Sequence, residues 1–346
     1  MTQMIDAQRS SQRWIFWLLL IIAAIYLALT LNWVLNNQQQ RHKLQTTLHA
    51  LPLLLPVQQL TQQLQTERGM LAGFSTQQLP SRPPIELQQL QTDAAWRDLE
   101  LILADHQTIS ETAQDYLTTL PKKTQLLLLR QQISDQQLNN SEVKRGYSEL
   151  LRPLLDLADY LQQKNELTGL TTPLAAIVAL TEALERAGQE RATLHVAFAE
   201  QQMSASRYQS YVILVNEQMD YLQQFAALSS PVLQQQWRQV QSQFENGSFI
   251  ELREQALAQD FDGDATLWFT LASTRMDKIY QLRFELCQQL LQQAHQMDQQ
   301  LEQVFQQLLV QLQWLLLIFL LLIWRIYRLH YAVRPLLKQI RHSPQF

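Results

Sequence analysis

Two short stretches of this sequence each place an arginine directly after a glutamate. "QTERGMLAGF" contains Glu67 and Arg68, and "QERATLHVAF" contains Glu190 and Arg191. A guanidinium presents a planar fork of N–H donors that can bind two oxygens of one small planar anion. We therefore interpret the two arginines as placed cations, each aimed at a small anion.

The residue after the Glu-Arg pair is also similar in the two stretches. It is small in both, Gly69 in the first and Ala192 in the second, and small residues let another helix approach closely. Taken singly, each pair also fits an ordinary ion pair on a helix surface, worth a few tenths of a kcal/mol. The recurrence favours the anion site, while the surface interpretation stays open.

The elements that position these residues are predicted to be helices. Residues that favour helix dominate the 346-residue chain, and only seven glycines and eleven prolines occur. Apolar residues recur at spacings of three and four between turn residues. The predicted breaks lie at Ser75–Pro84, near Pro121, and at Asn139–Ser141, Thr168–Pro173, Ser229–Pro231, Glu245–Ser248 and Asp260–Asp264. About eight such helices predict an all-α fold of two stacked four-helix-type bundles.

Two apolar segments, residues 14–35 and 306–327, are long enough to cross a bilayer as transmembrane helices. A basic cluster at the end of the second segment predicts a cytoplasmic C-terminus. A signal peptide is the alternative for the first segment, but no cleavage site of small residues follows it. We predict a two-pass protein of the bacterial inner membrane, with residues 1–13 in the cytoplasm and the extracytoplasmic domain, 36–305, in the periplasm.

The basic tail, residues 328–346, contains "AVRPLLKQI", which resembles the opening of a HAMP signal linker. A basic anchor for anionic lipid is the alternative. Both interpretations predict a chain without an output domain, either a truncated receptor or one that signals through a separate cytoplasmic partner. A short heptad run before the second span, from Ala294 to Leu308, and the prevalence of two-fold symmetry predict a homodimer.

Composition and spacing argue against several classes of function. A net charge of -4 does not suit nucleic-acid binding, which needs a concentrated basic face. The single cysteine, Cys287, excludes an internal disulfide, and the histidines have no metal-ligand spacing. The acidic stretch Asp260–Asp264 fits a helix N-cap better than a calcium loop. No catalytic motif occurs, so we predict neither an enzyme nor a cofactor.

The two Glu-Arg stretches resemble the helix motifs of the NIT domain, the nitrate- and nitrite-sensing module of bacterial membrane receptors. A third stretch, Trp268–Leu286, resembles the C-terminal helix of that family, so the resemblance covers roughly residues 45–295. It implies an all-helical double bundle that binds nitrate or nitrite through arginines. It carries Arg68 and Arg191 over as ligand-binding residues, and we add Arg253, in "FIELREQA", as a third candidate.

The resulting prediction is a membrane-anchored receptor that binds nitrate or nitrite outside the cell membrane and transmits a signal across it. We expect Glu67 and Glu190 to be the nearest, partial counter-charges of Arg68 and Arg191 in the empty site. A helical envelope scaffold without a small-molecule ligand is the alternative. A ligand stabilises a receptor by mass action, whereas a scaffold does not respond.

Overall fold

The computed structural model describes residues 2–72, 82–104 and 116–341. Within these ranges all regular structure is helical, which confirms the predicted all-α fold class. A 3-10 turn at Leu51–Leu53 separates the first two of the ten α-helices in the described ranges. These are α1 Thr2–Leu48, α2 Leu54–Ala72, α3 Arg82–Ala104, α4 Lys123–Ser134, α5 Asn140–Lys164, α6 Thr168–Glu200, α7 Ala205–Leu228, α8 Pro231–Phe244, α9 Ser248–Leu257 and α10 Ala265–Arg341.

Side-chain caps explain where several of these helices begin. Asn139 Oδ1 accepts a hydrogen bond from the Glu142 N–H at 3.1 Å, and the Glu142 carboxylate accepts one from the Asn139 N–H at 2.8 Å. This reciprocal pair is a capping box at the start of α5. Asp264 Oδ1 accepts from the N–H groups of Thr266 and Leu267 at 2.8 and 3.0 Å. The acidic stretch before Trp268 therefore caps α10, as its sequence predicts.

The predicted break that ends at Pro173 is wrong in its position. The chain turns at residues 165–167, and α6 begins at Thr168 with Pro173 inside it. Proline lacks the N–H that would bond to the carbonyl four residues earlier, which here belongs to Gly169. Gln293 Nε2 donates to that carbonyl at 2.9 Å instead. The lost backbone bond is thus replaced by a side chain, and the helix continues.

The other predicted breaks separate helices wherever the structure describes them. Residues 75–81 lie outside the described residues, and Pro83 and Pro84 occupy the first turn of α3, where proline is tolerated. Two described breaks have no counterpart among the predictions, the one at residues 49–53 between α1 and α2 and the turn between α6 and α7. The second contains neither glycine nor proline, and Gln201 there adopts a left-handed φ of 52°.

The chain divides into two compact units, of which the first comprises the described parts of residues 1–43 and 296–346. In this unit Arg41 of α1 forms ion pairs with Asp298 and Glu302 of α10. The described tail ends with α10 at Arg341. Residues 342–346 of the predicted HAMP-like tail lie outside the described residues.

Large apolar side chains of the first unit face outward. Trp14 and Trp33 of α1, and Trp314 and Trp324 of α10, are each more than half exposed. Among the described residues, one helix contains a stretch that is long and apolar enough to cross a membrane, and it lies within Ala265–Arg325 of α10. The two-pass topology stays a prediction.

The second unit comprises Leu44–His295, and α6 is its central helix. More than half of the residues of α6 are buried, and α6 packs against α2, α5 and α7. Because α6 is covered on several sides, charged residues on it lie in the interior. Glu185, Glu190 and Arg191 are all buried in this way, and each must find a partner within the unit or remain uncompensated.

Candidate functional site

Arg68 of α2 is buried against α6 in a two-pronged ion pair. Its Nη1 donates to Glu185 Oε1 at 2.8 Å, and its Nη2 donates to Glu185 Oε2 at 3.0 Å. Nη1 also donates to Ser148 Oγ of α5 at 3.2 Å. Arg68 therefore connects three helices, and its counter-ion is Glu185 rather than its sequence neighbour Glu67.

Glu185 is fully engaged by hydrogen-bond donors. Gln65 Nε2 and Gln189 Nε2 each donate to its carboxylate at 2.7 Å, in addition to Arg68. Burial raises the pKa of Glu185, but the charge of Arg68 and the hydrogen bonds from Arg68, Gln189 and Gln65 outweigh burial and hold the pKa below its ordinary value. Glu185 is therefore a carboxylate that compensates Arg68.

The two glutamates of the Glu-Arg stretches also pair with distant arginines. Glu67 accepts from Arg130 Nε at 2.7 Å and from Arg130 Nη2 at 2.8 Å. Glu190 accepts from Arg253 Nε at 2.7 Å and from Gln218 Nε2 at 2.8 Å. Successive helical residues point about 100° apart, so each glutamate faces other elements than the arginine beside it. Neither glutamate forms the counter-charge that we expected from the sequence.

Arg191 of α6 has a different environment, because no carboxylate among the described residues forms an ion pair with it. Its side chain is 3% exposed, and Nη1 donates to Ser273 Oγ of α10 at 2.8 Å. Nη2 donates to the backbone carbonyl of Gln65 at 3.3 Å, while Nε is buried without an acceptor. The guanidinium lies over the ring of Phe269, 4.8 Å from its centroid.

The charge of Arg191 is poorly compensated. Burial has the largest effect and lowers the pKa of the guanidinium. Tyr280 opposes burial, the charge of Arg68 lowers the pKa further, and Asp277 has the smallest, opposing effect. A guanidinium nevertheless stays protonated in proteins. The lowered pKa of Arg191 therefore reports a buried positive charge that an anion would stabilise.

Two glycines let Arg68 and Arg191 approach the opposite helix. A Cβ atom added at Gly69 of α2 would lie 2.5 Å from Arg191 Nη2, and one added at Gly188 of α6 would lie 3.5 Å from Arg68 Nη2. The guanidinium of Arg191 thus packs directly on α2 at Gly69. The structure brings the two predicted arginines together at this crossing. Gly73 and Phe74, which complete the first stretch, lie outside the described residues.

A recess of about 400 Å³ opens beside Arg68. Its described lining includes the basic side chains of Lys144 and Arg207, together with Ser148 and Gln189, and contains no acidic residue. Burial and the charges of Arg68 and Arg207 lower the pKa of Lys144. A recess with this charge attracts small anions toward Arg68.

Arg253, the third arginine that we predicted, belongs to a neighbouring cluster instead. It pairs with Glu190, and its Nη2 also donates to Gln218 Oε1 at 3.1 Å. Gln218 Oε1 accepts a second hydrogen bond, from Arg275 Nη1 of α10 at 2.7 Å. Burial lowers the pKa of Arg275 to about 9, and the charge of Arg253 adds to that effect.

Sequence reasoning assigned no role in the site to several buried residues of these clusters. Glu185 is the counter-ion of Arg68, and Trp268 Nε1 donates to the backbone carbonyl of Arg191 at 3.1 Å, which holds that turn of α6 in place. Arg283 is 2% exposed, with Nε and Nη1 lacking acceptors. A signal was available for Arg275, because it occupies a core position in the spacing of Trp268, Ala272, Arg275, Ile279, Leu282 and Leu286.

Comparison with known proteins assigns the family. The family model NIT, described as nitrate and nitrite sensing, matches residues 59–311, and no curated protein matches the chain. A solved structure, that of the NasR transcription antiterminator, is similar with a TM-score of 0.64 and 21% identity over 82% of each chain. At that identity the likeness concerns the fold. Because the family match spans most of the chain, this protein belongs to the NIT family of nitrate and nitrite sensing domains.

Proposed function

We propose that this protein is a membrane receptor that binds nitrate or nitrite between Arg68 and Arg191. The single observation that carries the proposal is Arg191, a buried guanidinium with an unpartnered Nε and no ion pair among the described residues. Nitrate has one negative charge and three oxygens in a plane, which suits a planar guanidinium fork. The recess beside Arg68 provides a basic entry route.

Arg68 contributes through competition between two acceptors. Without ligand, its Nη atoms bind Glu185. An anion held by Arg191 attracts Arg68 as well, so it competes with Glu185 for the same donors. The site then has two arrangements, and the ligand favours the one in which both arginines face it.

Arg253 supports the site without contacting the ligand. It holds Glu190 in a two-pronged pair at 2.7 and 2.5 Å. Glu190 is the sequence neighbour of Arg191, and its engagement elsewhere keeps a ready counter-ion away from Arg191. Arg253 therefore holds Glu190 on the face of α6 that points away from Arg191.

The membrane part of the proposal rests on the two apolar segments and the basic tail. Both termini lie in the cytoplasm, and the domain at 36–305 lies in the periplasm of a bacterial inner-membrane protein. Helix α10 carries both Ser273, which binds Arg191, and residues 306–327 of the second span. A ligand-dependent shift of this helix moves the span in a homodimer, which relays the signal to a cytoplasmic partner.

The test is nitrate calorimetry on the full chain in lipid nanodiscs at low chloride. Arg191→Gln removes the uncompensated charge, so we expect nitrate affinity to fall roughly tenfold to hundredfold, the range for a buried charged hydrogen bond. Arg186→Gln is the matched control. Arg186 lies on the same helix but pairs with Glu182 and Glu217, so its loss should leave the nitrate Kd unchanged.

Three outcomes separate the alternatives. Arg191→Lys should restore little affinity, because an ammonium lacks the planar fork. If Arg191→Gln binds nitrate with wild-type affinity, the proposed site is wrong. That result would not contradict nitrate binding elsewhere in the domain. No heat and no thermal stabilisation of the wild type by nitrate or nitrite favours the scaffold function instead.

A further inference from the structure

The second unit contains a larger cavity that Arg68 and Arg191 do not line. It has a volume of about 570 Å³ and lies among α7, α8, α9 and α10. Its walls are chiefly apolar, with Leu222 of α7, Trp237 of α8 and Phe249 of α9 prominent among the lining residues. The volume lies in the range of small-molecule pockets, roughly 300–1,000 Å³. A nitrate ion would leave most of this space empty.

Two guanidinium groups meet at one wall of this cavity. Arg253 and Arg275 both line it, and their guanidinium carbons lie 4.7 and 5.2 Å from the centroid of the Phe249 ring. Both side chains are buried. The cavity therefore combines apolar walls with a localised positive charge.

Only one of the two buried guanidinium groups at this wall has a carboxylate partner. Glu190 pairs with Arg253 through both of its oxygens, and Gln218 bridges Arg253 and Arg275 through Oε1. Arg275 forms no ion pair with a carboxylate in the described parts of the chain, and the lowered pKa of its guanidinium agrees with that deficit. The wall thus carries one positive charge in excess.

Charges at the exposed rim do not alter this balance. Arg238 and Glu245 also line the cavity, and both are exposed. They carry opposite charges and are in contact with solvent, which screens them. The buried excess is therefore that of Arg275.

We propose that this cavity binds a small organic monocarboxylate with an apolar body. The ligand carboxylate pairs with Arg275, whose free donors can meet two oxygens, and the apolar body lies against Trp237 and Phe249. A single excess charge favours a monoanion over a phosphate or a dicarboxylate, because a second negative charge would be buried without a partner. This site is separate from the proposed nitrate site and does not depend on it.

The experiment measures binding of benzoate and hexanoate to the full chain in lipid nanodiscs by calorimetry. Benzamide, a neutral analogue of the same shape, is the ligand control. We expect both carboxylates to bind and benzamide to bind at least roughly tenfold more weakly, since it cannot pair with the guanidinium. Equal affinity for benzoate and benzamide overturns the proposal, as does the absence of binding by either carboxylate.

Two variants locate the ligand. Arg275→Gln removes the excess charge, and Ala226→Trp fills the cavity from α7. Each should weaken benzoate binding by roughly tenfold or more, and circular dichroism verifies that each variant remains folded. Arg186→Gln, which removes an arginine that does not line the cavity, is the matched control and should leave the benzoate Kd within about twofold, as expected for a screened charge outside the site.

A variant of Arg191 distinguishes the proposed carboxylate site from the proposed nitrate site. Arg191→Gln should weaken nitrate binding as proposed above and preserve benzoate binding, because Arg191 does not line this cavity. If Arg191→Gln abolishes benzoate binding, or Arg275→Gln preserves it, the carboxylate occupies another site and the proposal is wrong. Loss of nitrate binding alone in Arg191→Gln leaves this proposal supported.

Discussion

At the scale of single residues, the buried arginines of this domain fall into two groups by their counter-ions. Arg68 and Arg253 each have a two-pronged carboxylate partner, whereas Arg191, Arg275 and Arg283 rely on neutral oxygens. Removing one member of a buried ion pair costs about 3–5 kcal/mol, because the other charge is left unpaired. A variant of Arg68 therefore combines lost binding with lost stability. A variant of Arg191 removes a charge that has no such partner among the described residues, so it probes the proposed binding more directly.

Gly69 offers a test of the geometry around Arg191. In Gly69→Ala the new methyl would lie 2.5 Å from Arg191 Nη2, so the guanidinium must shift. We expect nitrate affinity to fall roughly tenfold, the effect of weakening one charged hydrogen bond. Stability should not fall much, because alanine is favoured over glycine within a helix by about 0.5–1 kcal/mol. Calorimetry and thermal unfolding of the full chain measure the two effects.

Gly188→Ala is the matched control for this prediction. Its methyl would lie 3.5 Å from Arg68 Nη2 and from Met276 Cε, which is ordinary van der Waals contact. Nitrate affinity should therefore stay near the wild-type value. A larger effect from Gly188→Ala than from Gly69→Ala would show that the close approach at Gly69 does not position the ligand site.

At the scale of helices, the contact between α6 and α10 fixes the position of Arg191. Trp268 of α10 is fully buried, and its ring stacks on Phe249 of α9 with centroids 5.2 Å apart. Its Nε1 donates to the backbone carbonyl of Arg191 at 3.1 Å. One aromatic side chain thus joins three helices and holds the turn of α6 that presents Arg191.

Replacing Trp268 by phenylalanine separates the packing of its aromatic ring from the hydrogen bond that its N–H donates. Trp268→Phe keeps an aromatic ring but removes the N–H donor, so we expect a loss of about 1–2 kcal/mol in unfolding free energy from the hydrogen bond and the smaller ring. Nitrate affinity should also fall by a few-fold, roughly the effect of misplacing one ligand group. Chemical denaturation and nitrate calorimetry on the same sample measure both.

Trp237→Phe in α8 provides the comparison for Trp268→Phe. Trp237 is buried and packs edge-on against Phe225 with centroids 6.3 Å apart, but it does not contact Arg191. A similar loss of stability with unchanged nitrate affinity is expected. If both variants reduce nitrate affinity equally, general loosening of the bundle explains the effect, and the positioning role of Trp268 is wrong.

At the scale of the whole molecule, topology determines where the ligand is sensed. The exposed tryptophans of α1 and α10 suit the interfaces of a bilayer, where aromatic residues concentrate. Reporter fusions after Asn139 and after Phe346 test the proposed arrangement. The Asn139 fusion should report the periplasm and the Phe346 fusion the cytoplasm, because the basic tail follows the second span. Fusions that report the same compartment contradict the two-pass topology.

Local sequence signals determined the helical fold class and most of the breaks between helices. Capping residues and the spacing of apolar residues act over one or two turns, so they can be read without knowing the tertiary contacts. The start of α10 after Asp264 follows from such signals. The same local signals gave the wrong position for the break at Pro173. The Gln293 side chain replaces the hydrogen bond that Pro173 cannot donate to the Gly169 carbonyl, and Gln293 lies 124 positions along the chain from Gly169.

The sequence alone identified Arg68 and Arg191 through the repeated Glu-Arg stretches and their family resemblance. Only the tertiary structure decided which carboxylate each arginine meets. Glu185 lies 117 positions from Arg68, and Arg253 lies 63 positions from Glu190, so no local pattern relates these partners. Electrostatic compensation depends on distance in space, and it is packing around α6 that leaves Arg191 without a carboxylate partner among the described residues. The proposed anion site rests on that arrangement.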